Sequence, residues 1–580
     1  MTQTQKLIIN LFLVFLLGFG FIYVCYVGLP YDFGADHPKN IRGIESIGYG
    51  ELIELVMDPR TPVWFYPPGN RADLMAFVRP LQFLLLKLSY SLVGYSLPHF
   101  HIIVAIGCGI LMMLLFSVIV FWTRSMLWGW LAAVLYLSFP SNVFMLLSAW
   151  SGDFQFFLSV ICIFSLLLFG HLTSRKLKSI SFLANLALWV IFIWLAIKIK
   201  STEKILPIVC LVFLLWQFRS IQAKIGGWRT SALILFIAGM FFLIVPSQAY
   251  FRELLPEARH ANLTPSSAET TSSITIKDKQ ALSFSWQNAL RRTFYASDEK
   301  FSLTAIFHRD RNPLSFTENY GLPLGLFFWL GLFFSFFLWA GPKARHSIPE
   351  ESQQRESFSH FFKLFLVWFG VVLAGFSSGM DLSVNRFLNF AYVPSLLLLF
   401  MMIGGFSNYF SWPVVKSRIF RALIVLLIIA TALFNFGTFI KLLGYYGGMQ
   451  ATVVRAEKDI FPLIYGKNPD EVTLYEKHQD LEQRAVAVGW YNYTKDWTDV
   501  MQEKLRTEKR VFLYLRTPDP ERLQRLRENG FEITLWKQYS LLDADPLVFH
   551  FLKKLYHLGM FSGKTPSTDF FVYMIKRVST

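Results

Sequence analysis

The chain has 580 residues, of which 54% are hydrophobic and 16% are charged. Soluble globular proteins carry about 25% charged residues, so this composition excludes a protein that is wholly surrounded by water. The formal net charge is +16, but the basic residues lie in short loops between apolar runs, which favours orientation in a membrane over nucleic-acid binding.

Eleven apolar runs are long enough to cross about 30 Å of hydrocarbon. The first lacks a small-residue cleavage site and is predicted to be a retained span rather than a signal peptide. The segment 76–95 is amphipathic and is predicted to lie at the membrane interface. The sequence therefore predicts an α-helical polytopic membrane protein. The predicted spans are 7–28, 98–122, 127–148, 154–170, 181–197, 204–218, 230–246, 321–340, 361–377, 388–406 and 419–440.

The distribution of charge predicts how the spans are oriented. If the N-terminus is cytoplasmic, the cytoplasmic loops and adjoining span ends carry fourteen basic residues against three glutamates, whereas loop 29–75 carries four basic and seven acidic residues. Because basic residues stay on the cytoplasmic side, we expect external loops at 29–97 and 247–320. The predicted location is the inner or plasma membrane, with several spans.

The region 441–580 is long enough for a small domain. Arg510 to Leu515 is typical of a strand, Pro518 to Asn529 of a helix closed by Gly530, and 532–536 and 570–575 of two further strands. This βαβ-like pattern predicts a small soluble α/β domain after a membrane domain at 1–440. The assumed orientation places that domain on the extracytoplasmic side.

Two carboxylates follow the first span closely, Asp32 and Asp36. An enzyme that transfers a sugar from a lipid phosphate needs a base near the membrane surface, because the acceptor hydroxyl must lose its proton. One carboxylate suffices for a single inverting displacement. The alternative is that both are ordinary loop carboxylates that cap the following helices.

Several cations share the predicted external face. A phosphate that leaves the anomeric carbon gains negative charge, and fixed cations stabilise it. The lysines could instead be span ends that extend to the membrane surface, and Arg386 could simply pair with Asp381. The candidates are Arg79, Lys198, Lys200, Lys204 and Arg386.

Two further residues are candidates for substrate binding. His101 opens the second span after Pro98, and Asp153 lies between spans three and four. Each could instead be a structural residue at a helix end, and Asp153 could cap span four.

Five segments, in order, resemble the polyprenyl-phosphate-sugar-dependent glycosyltransferases of the GT-C superfamily. The likeness is strongest to the bacterial relatives of the membrane O-mannosyltransferases, and it covers about residues 1–400. The segments are the acidic loop with Asp32 and Asp36, Arg79-Pro-Leu through His101, Phe139-Pro140 through Trp150-Ser-Gly-Asp153, Lys200-Ser-Thr-Glu203-Lys-Ile-Leu-Pro207, and Asn385-Arg386 through Tyr392-Val-Pro394.

The resemblance implies a GT-C-like bundle and an inverting transfer from a dolichyl- or undecaprenyl-phosphate-linked sugar. It implies Asp36 or Asp32 as the catalytic base, with Lys200, Glu203 and Arg386 near the donor. The family commonly has an adjacent acidic pair where these acids stand four residues apart; Asp36 aligns better with the following Asn40. No cofactor is expected, and a monophosphate leaving group does not require a metal, although some oligosaccharide-transferring relatives use one. The acceptor, whether lipid, glycan or protein, stays open.

Two other functions compete with this one. An O-antigen-ligase-like or polymerase-like enzyme would use a lipid-pyrophosphate glycan and paired arginines with a histidine, and Arg291, Arg292 and His308 lie in loop 247–320. A lipid or solute transporter would show broken spans, repeats and ionisable residues at mid-depth, which are scarce in this sequence. The two acids of the first external loop favour the glycosyltransferase.

Overall fold

A computed structural model provides the fold. It describes these residues: 2–27, 47–58, 79–93, 102–140, 142, 155–199, 205–244, 317, 320–340, 352–377, 389–409, 414–466, 498, 501–502, 505, 511–515, 520–540 and 569–578. The chain divides into two compact units. The first comprises Met1–Val24 and Gly43–Phe439, and the second comprises Cys25–Arg42 and Ile440–Thr580.

The first unit is built from helices. Its long apolar segments form helices because the backbone groups of a segment in lipid must be satisfied within that segment. In chain order the helices are α1 (Gln3–Val27), α2 (Tyr49–Met57), α3 (Pro80–Val93), α4 (Ile102–Thr123), α5 (Met126–Ser138), α6 (Gln155–Ser174), α7 (Ser179–Ile199), α8 (Ile205–Trp216), α9 (Phe218–Ile225), α10 (Gly227–Ile244), α11 (Leu322–Ala340), α12 (Ser352–Ser377), α13 (Asn389–Tyr409) and α14 (Val414–Tyr465).

Within the described residues, six helices are long and apolar enough to cross a membrane, or seven if a bent pair forms one span. They lie in α1, α4, α6, α7, α12 and α14, and the bent pair is α8 with α9. Four more predicted runs coincide with α5, α10, α11 and α13, whose described apolar stretches are shorter. The helices indicate a membrane protein, while the predicted number of eleven spans is not confirmed. The helix predicted within 76–95 is present as α3, while its place at the membrane interface stays a prediction.

The sixth predicted span, 204–218, ends early. α8 stops at Trp216, and the chain turns by 85° into α9. α9 is amphipathic, because Ile221 and Ile225 are buried while Arg219 and Ser220 are exposed. Such a helix suits the surface of a membrane better than its interior.

α13 forms the centre of the first unit. Every side chain from Ala391 to Gly404 is buried, as expected for a helix that is apolar on all sides. α13 packs against α4, α5, α6, α11 and α12, and α6 adds contacts with α7, α8, α9 and α12. By contrast, α1 exposes Ile8 and Phe12, which suits contact with lipid.

α1 and α4 approach each other through glycine. A Cβ atom at Gly18 would lie 3.2 Å from the Cα atom of Gly109, and one at Gly109 would lie 3.0 Å from the carbonyl oxygen of Phe15. Small residues let two helix backbones pack closely in a membrane, where dispersion contacts stabilise the pair. The peripheral α1 is therefore positioned by its backbone fit to α4.

The second unit contains a small antiparallel sheet. Its described elements are β1 (Val511–Leu515), α15 (Pro520–Glu528), β2 (Phe531–Ser540) and β3 (Asp569–Arg577). The strand order is β1-β3-β2, and both outer strands run antiparallel to β3. α15 packs on the sheet through Leu523 and Leu526. β1 and β2 are thus parallel to each other with β3 between them, which is a split βαβ arrangement.

The predicted elements of this unit are confirmed, but the predicted pattern did not give the strand order. Gly530 ends α15 as expected: its φ angle is +81°, a left-handed conformation that glycine adopts without strain. Its amide donates to the carbonyl oxygen of Arg527 over 3.0 Å. The boundary predicted at 440/441 between a membrane domain and a soluble domain stays a prediction.

Residues 440–465 of α14 belong to the second unit, and there Asp459 is linked to β2. Its Oδ2 atom accepts hydrogen bonds from Lys537 Nζ at 2.5 Å and from Tyr539 Oη at 2.8 Å. Partial burial raises the pKa of Asp459, but these two hydrogen bonds and the nearby positive charges outweigh burial and hold that pKa below its ordinary value. The ionised carboxylate therefore fixes this part of the helix to the sheet.

We expect this link to weaken in acid. Because the pKa of Asp459 is lower in the folded state, the carboxylate stabilises the fold above its unfolded pKa of about 3.9, and this stability is lost as the pH falls through the folded value. Hydrogen exchange of β2, corrected for the intrinsic pH effect, should be slower in the native protein than in Asp459→Asn at pH 7, and this difference should shrink as the pH is lowered to about 3. The control is Glu532→Gln, which removes an exposed carboxylate from β2 itself. A difference that is the same at both pH values would contradict the link.

Candidate functional site

Two of the ten predicted site residues, Arg79 and Lys198, lie in the part of the chain that the structure describes. Arg79 directly precedes α3, where its carbonyl oxygen accepts the amide of Phe83 over 3.1 Å. The roles of the others stay predictions, as does the alternative based on Arg291, Arg292 and His308. Outside the described residues lie Asp32, Asp36, His101, Asp153, Lys200, Glu203, Lys204 and Arg386.

α2 and α3 both lie within the predicted external loop 29–97. α2 packs against α3, and Tyr49 Oη lies 2.6 Å from Ser91 Oγ and donates to the carbonyl oxygen of Lys87 at 3.0 Å. In return, Lys87 Nζ donates to the carbonyl oxygen of Ile47 at 2.5 Å. The start of α2 is thus tied to the last turns of α3.

Lys198 fastens the other end of α2. This side chain is fully buried, and its Nζ atom donates to the carbonyl oxygens of Leu55, at 3.3 Å, and Asp58. The same Nζ atom lies 4.4 Å from the ring centroid of Trp194. Lysine suits this place because the carbonyls at the end of a helix carry partial negative charge.

The position of Lys198 changes its predicted role. The sequence suggested either a cation for a lipid phosphate or a side chain that extends to the membrane surface. The structure instead buries the ammonium group against protein carbonyls, so it holds the end of α2 to the end of α7. Sequence reasoning missed α2, although Leu52, Leu55 and Val56 recur at helical spacing and are buried together.

Two segments of the family resemblance meet in the core. Phe139, directly after α5, lies 4.5 Å from Tyr392 between ring centroids and 5.0 Å from Tyr320. Tyr320 Oη lies 2.6 Å from Ser395 Oγ, and Ser395 Oγ donates to the carbonyl oxygen of Tyr392 at 2.9 Å. These groups are buried, so they join the end of α5 to the starts of α11 and α13.

Helices α5, α6 and α7, which follow one another in the chain, run in alternating directions. α6 and α7 pack together across a four-residue connection, 175–178, so they run antiparallel and place Lys198 beside the start of α6. Tyr136 near the end of α5 contacts Phe156 near the start of α6, with 6.5 Å between ring centroids. We call this end of the bundle, which contains Phe139, Tyr392 and Lys198, the Lys198 end.

At the other end, the last turns of α4 and α6 meet the start of α12. Trp122 lies 5.6 Å from Phe358 between ring centroids, and Thr173 Oγ1 lies 2.8 Å from His360 Nε2. Four predicted site residues adjoin helix termini of the Lys198 end in sequence: Lys200 follows α7, Asp153 precedes α6, and Arg386 and His101 precede α13 and α4. Which end faces the outside stays a prediction.

The described residues contain no group of three or more His, Cys, Asp or Glu side chains that could hold a metal ion. All four cysteines are buried with free thiols, where they pack as small apolar side chains.

No protein-family model and no curated protein matches this sequence.

Proposed function

We propose that this chain is a membrane glycosyltransferase of the GT-C type. It moves a sugar from a polyprenyl-phosphate donor to an acceptor hydroxyl on the extracytoplasmic face. The main support is the attachment of α2, which follows the two candidate acids in sequence, to the end of α7 through Lys198. Lys200-Ser-Thr-Glu203-Lys204 continues in sequence from that end of α7, so this charged segment closely follows the anchored residue.

The surface of α2 and α3 supports a donor carried by lipid. Both helices leave large apolar side chains exposed: Ile53 and Met57 on α2, and Leu88 and Leu92 on α3. Exposed apolar side chains at such density mark a contact with a membrane or with another apolar partner. A polyprenyl chain that lies in the membrane could pass beside this pair while its phosphate stays at the surface.

In the proposed reaction, the carboxylate of Asp36, or of Asp32, accepts the proton of the acceptor hydroxyl. The hydroxyl oxygen forms a bond to the anomeric carbon from the side opposite the phosphate. The bond between that carbon and the phosphate oxygen breaks, and its electrons leave with polyprenyl phosphate. The configuration inverts because there is one displacement. The cations that stabilise the departing phosphate are Arg79, Lys200, Lys204 and Arg386, while Glu203, His101 and Asp153 contact the substrates.

The test compares a strain that lacks the chain with the same strain complemented by it. Lipid extracts and cell-envelope glycans from both are analysed by mass. We expect the deletion strain to accumulate a polyprenyl-phosphate sugar and to lose one sugar residue from one glycan or glycosylated molecule. Identical glycans and donor pools in the two strains would contradict the proposal. Accumulation of a lipid-pyrophosphate glycan instead would favour the ligase-like alternative.

A further inference from the structure

Arg229 is enclosed by aromatic rings. Its side chain is 5% exposed, and its guanidinium carbon lies 5.4 Å from the ring centroid of Phe182 and 5.2 Å from that of Trp228. The two rings also contact each other, with 5.8 Å between centroids. Nε and Nη1 of Arg229 are buried and have no hydrogen-bond partner among the described residues. A planar cation thus keeps two unused donors, although buried polar groups are normally paired.

Two helix N-termini meet at this arginine. Phe182 lies in the first turn of α7, and Trp228 and Arg229 lie in the first turn of α10. Neither first turn contains an acidic residue, so no side-chain carboxylate of these turns neutralises the partial positive charge of their amide groups. Helix N-termini bind phosphate through these groups. Lys178, exposed just before α7, adds a further positive charge to this face.

Apolar side chains surround the same place. Ile180 and Leu183 of α7 are 85% and 56% exposed, and Trp228 and Leu235 of α10 are 59% and 71% exposed. A free phosphate ion makes no favourable contact with apolar side chains, whereas the acyl chains of a lipid can pack on them while its phosphate lies beside Arg229. We propose that Arg229, with the first turns of α7 and α10, binds the phosphate of an anionic membrane lipid headgroup.

This site is separate from the proposed donor site. Phe182 and Lys198 are sixteen residues apart on α7, which corresponds to about 24 Å at 1.5 Å per residue. The phosphate at Arg229 therefore lies at the end of the bundle opposite the Lys198 end. The lipid is a structural partner whose binding does not depend on glycosyl transfer.

The experiment uses the full-length protein purified in detergent and phosphatidylglycerol as the probe. Bound lipid is counted by native mass spectrometry for the native protein, for Arg229→Gln and for the control Arg175→Gln, which removes an exposed arginine before α7. We expect the affinity for phosphatidylglycerol to fall about tenfold in Arg229→Gln, the usual effect of losing a charge-assisted hydrogen bond. The control should bind as the native protein does. Equal binding by the native protein and Arg229→Gln would overturn the site.

Two further probes distinguish a lipid phosphate from free inorganic phosphate as the ligand. Diacylglycerol has the same tails without the phosphate, and we expect it not to compete with phosphatidylglycerol. Inorganic phosphate should compete only weakly; if it competes as well as the lipid does, the lipid assignment is overturned.

If Arg229→Gln fails to fold, a labelling measurement on the native protein still tests the site. Photoreactive phosphatidylglycerol should label peptides that contain 178–183 or 227–230. Labelling elsewhere alone would overturn the proposal.

Discussion

Replacing Asp36 by Asn is expected to lower the rate of sugar transfer by about 10²–10⁴-fold, the usual contribution of a positioned general base. Asn keeps the size of the side chain but cannot accept the proton of the acceptor hydroxyl. The measurement is transfer by membranes of the deletion strain that express each variant to the same level. Asp32→Asn is tested beside it, because the spacing of the two acids leaves the base open. The larger loss identifies the base.

The matched control for this series is Glu54→Gln. Glu54 is an exposed carboxylate of α2 in the same loop, so its substitution removes the same charge without removing the proposed base. Transfer by this control should stay within about twofold of the native rate, as expected for a surface change that costs less than about 0.5 kcal/mol. Native rates in Asp36→Asn, Asp32→Asn and the double variant together would exclude both acids as the base.

Replacing Lys198 by Met is expected to release α2 from α7. Met has a similar length but no donor, so the carbonyl oxygens of Leu55 and Asp58 would lose a charged partner in a buried place. Removing a hydrogen bond from a charged donor costs about 1.5–3 kcal/mol, and relief from burying the ammonium group offsets part of that loss. A net loss of about 2 kcal/mol would speed hydrogen exchange of the α2 amides about thirtyfold.

The control for this variant is Lys176→Met, which changes an exposed lysine near the opposite end of α7. Exchange in α2 should be unchanged there. If Lys198→Met also leaves the α2 amides as protected as in the native protein, the anchor is not what holds this helix. If the proposed function holds, Lys198→Met should also reduce sugar transfer, because Lys198 holds α2 beside the end of α7 from which the charged segment 200–204 continues in sequence.

Local patterns predicted the helices and strands well. Long apolar runs marked the helices of the bundle, and Gly530 marked the end of α15, because hydropathy and glycine conformation act over a few residues. The sequence did not predict that β3 would lie between β1 and β2, since that order depends on contacts between distant parts of the chain. The bend after Trp216 was missed for a related reason, because α9 buries Ile221 and Ile225 against other helices.

The polar contacts were harder to predict. Lys198 finds its carbonyl partners about 140 residues earlier in the chain, in a helix that was treated as part of a polar loop. By sequence alone, Arg229 is one of the fourteen basic residues of the predicted cytoplasmic loops and adjoining span ends. Its enclosure by Phe182 and Trp228 depends on two helix starts that are 48 residues apart, which no local spacing reveals.

The burial of α13 constrains how the protein is assembled. Its main packing partners, α4, α5, α6, α11 and α12, all precede it in the chain. During synthesis the most enclosed helix therefore leaves the ribosome after the groove that receives it, and the earlier helices must keep that groove open. A nascent chain that stops before residue 389 would leave Trp128 and Phe139 without the rings of Phe400 and Tyr392, facing acyl chains or a membrane chaperone.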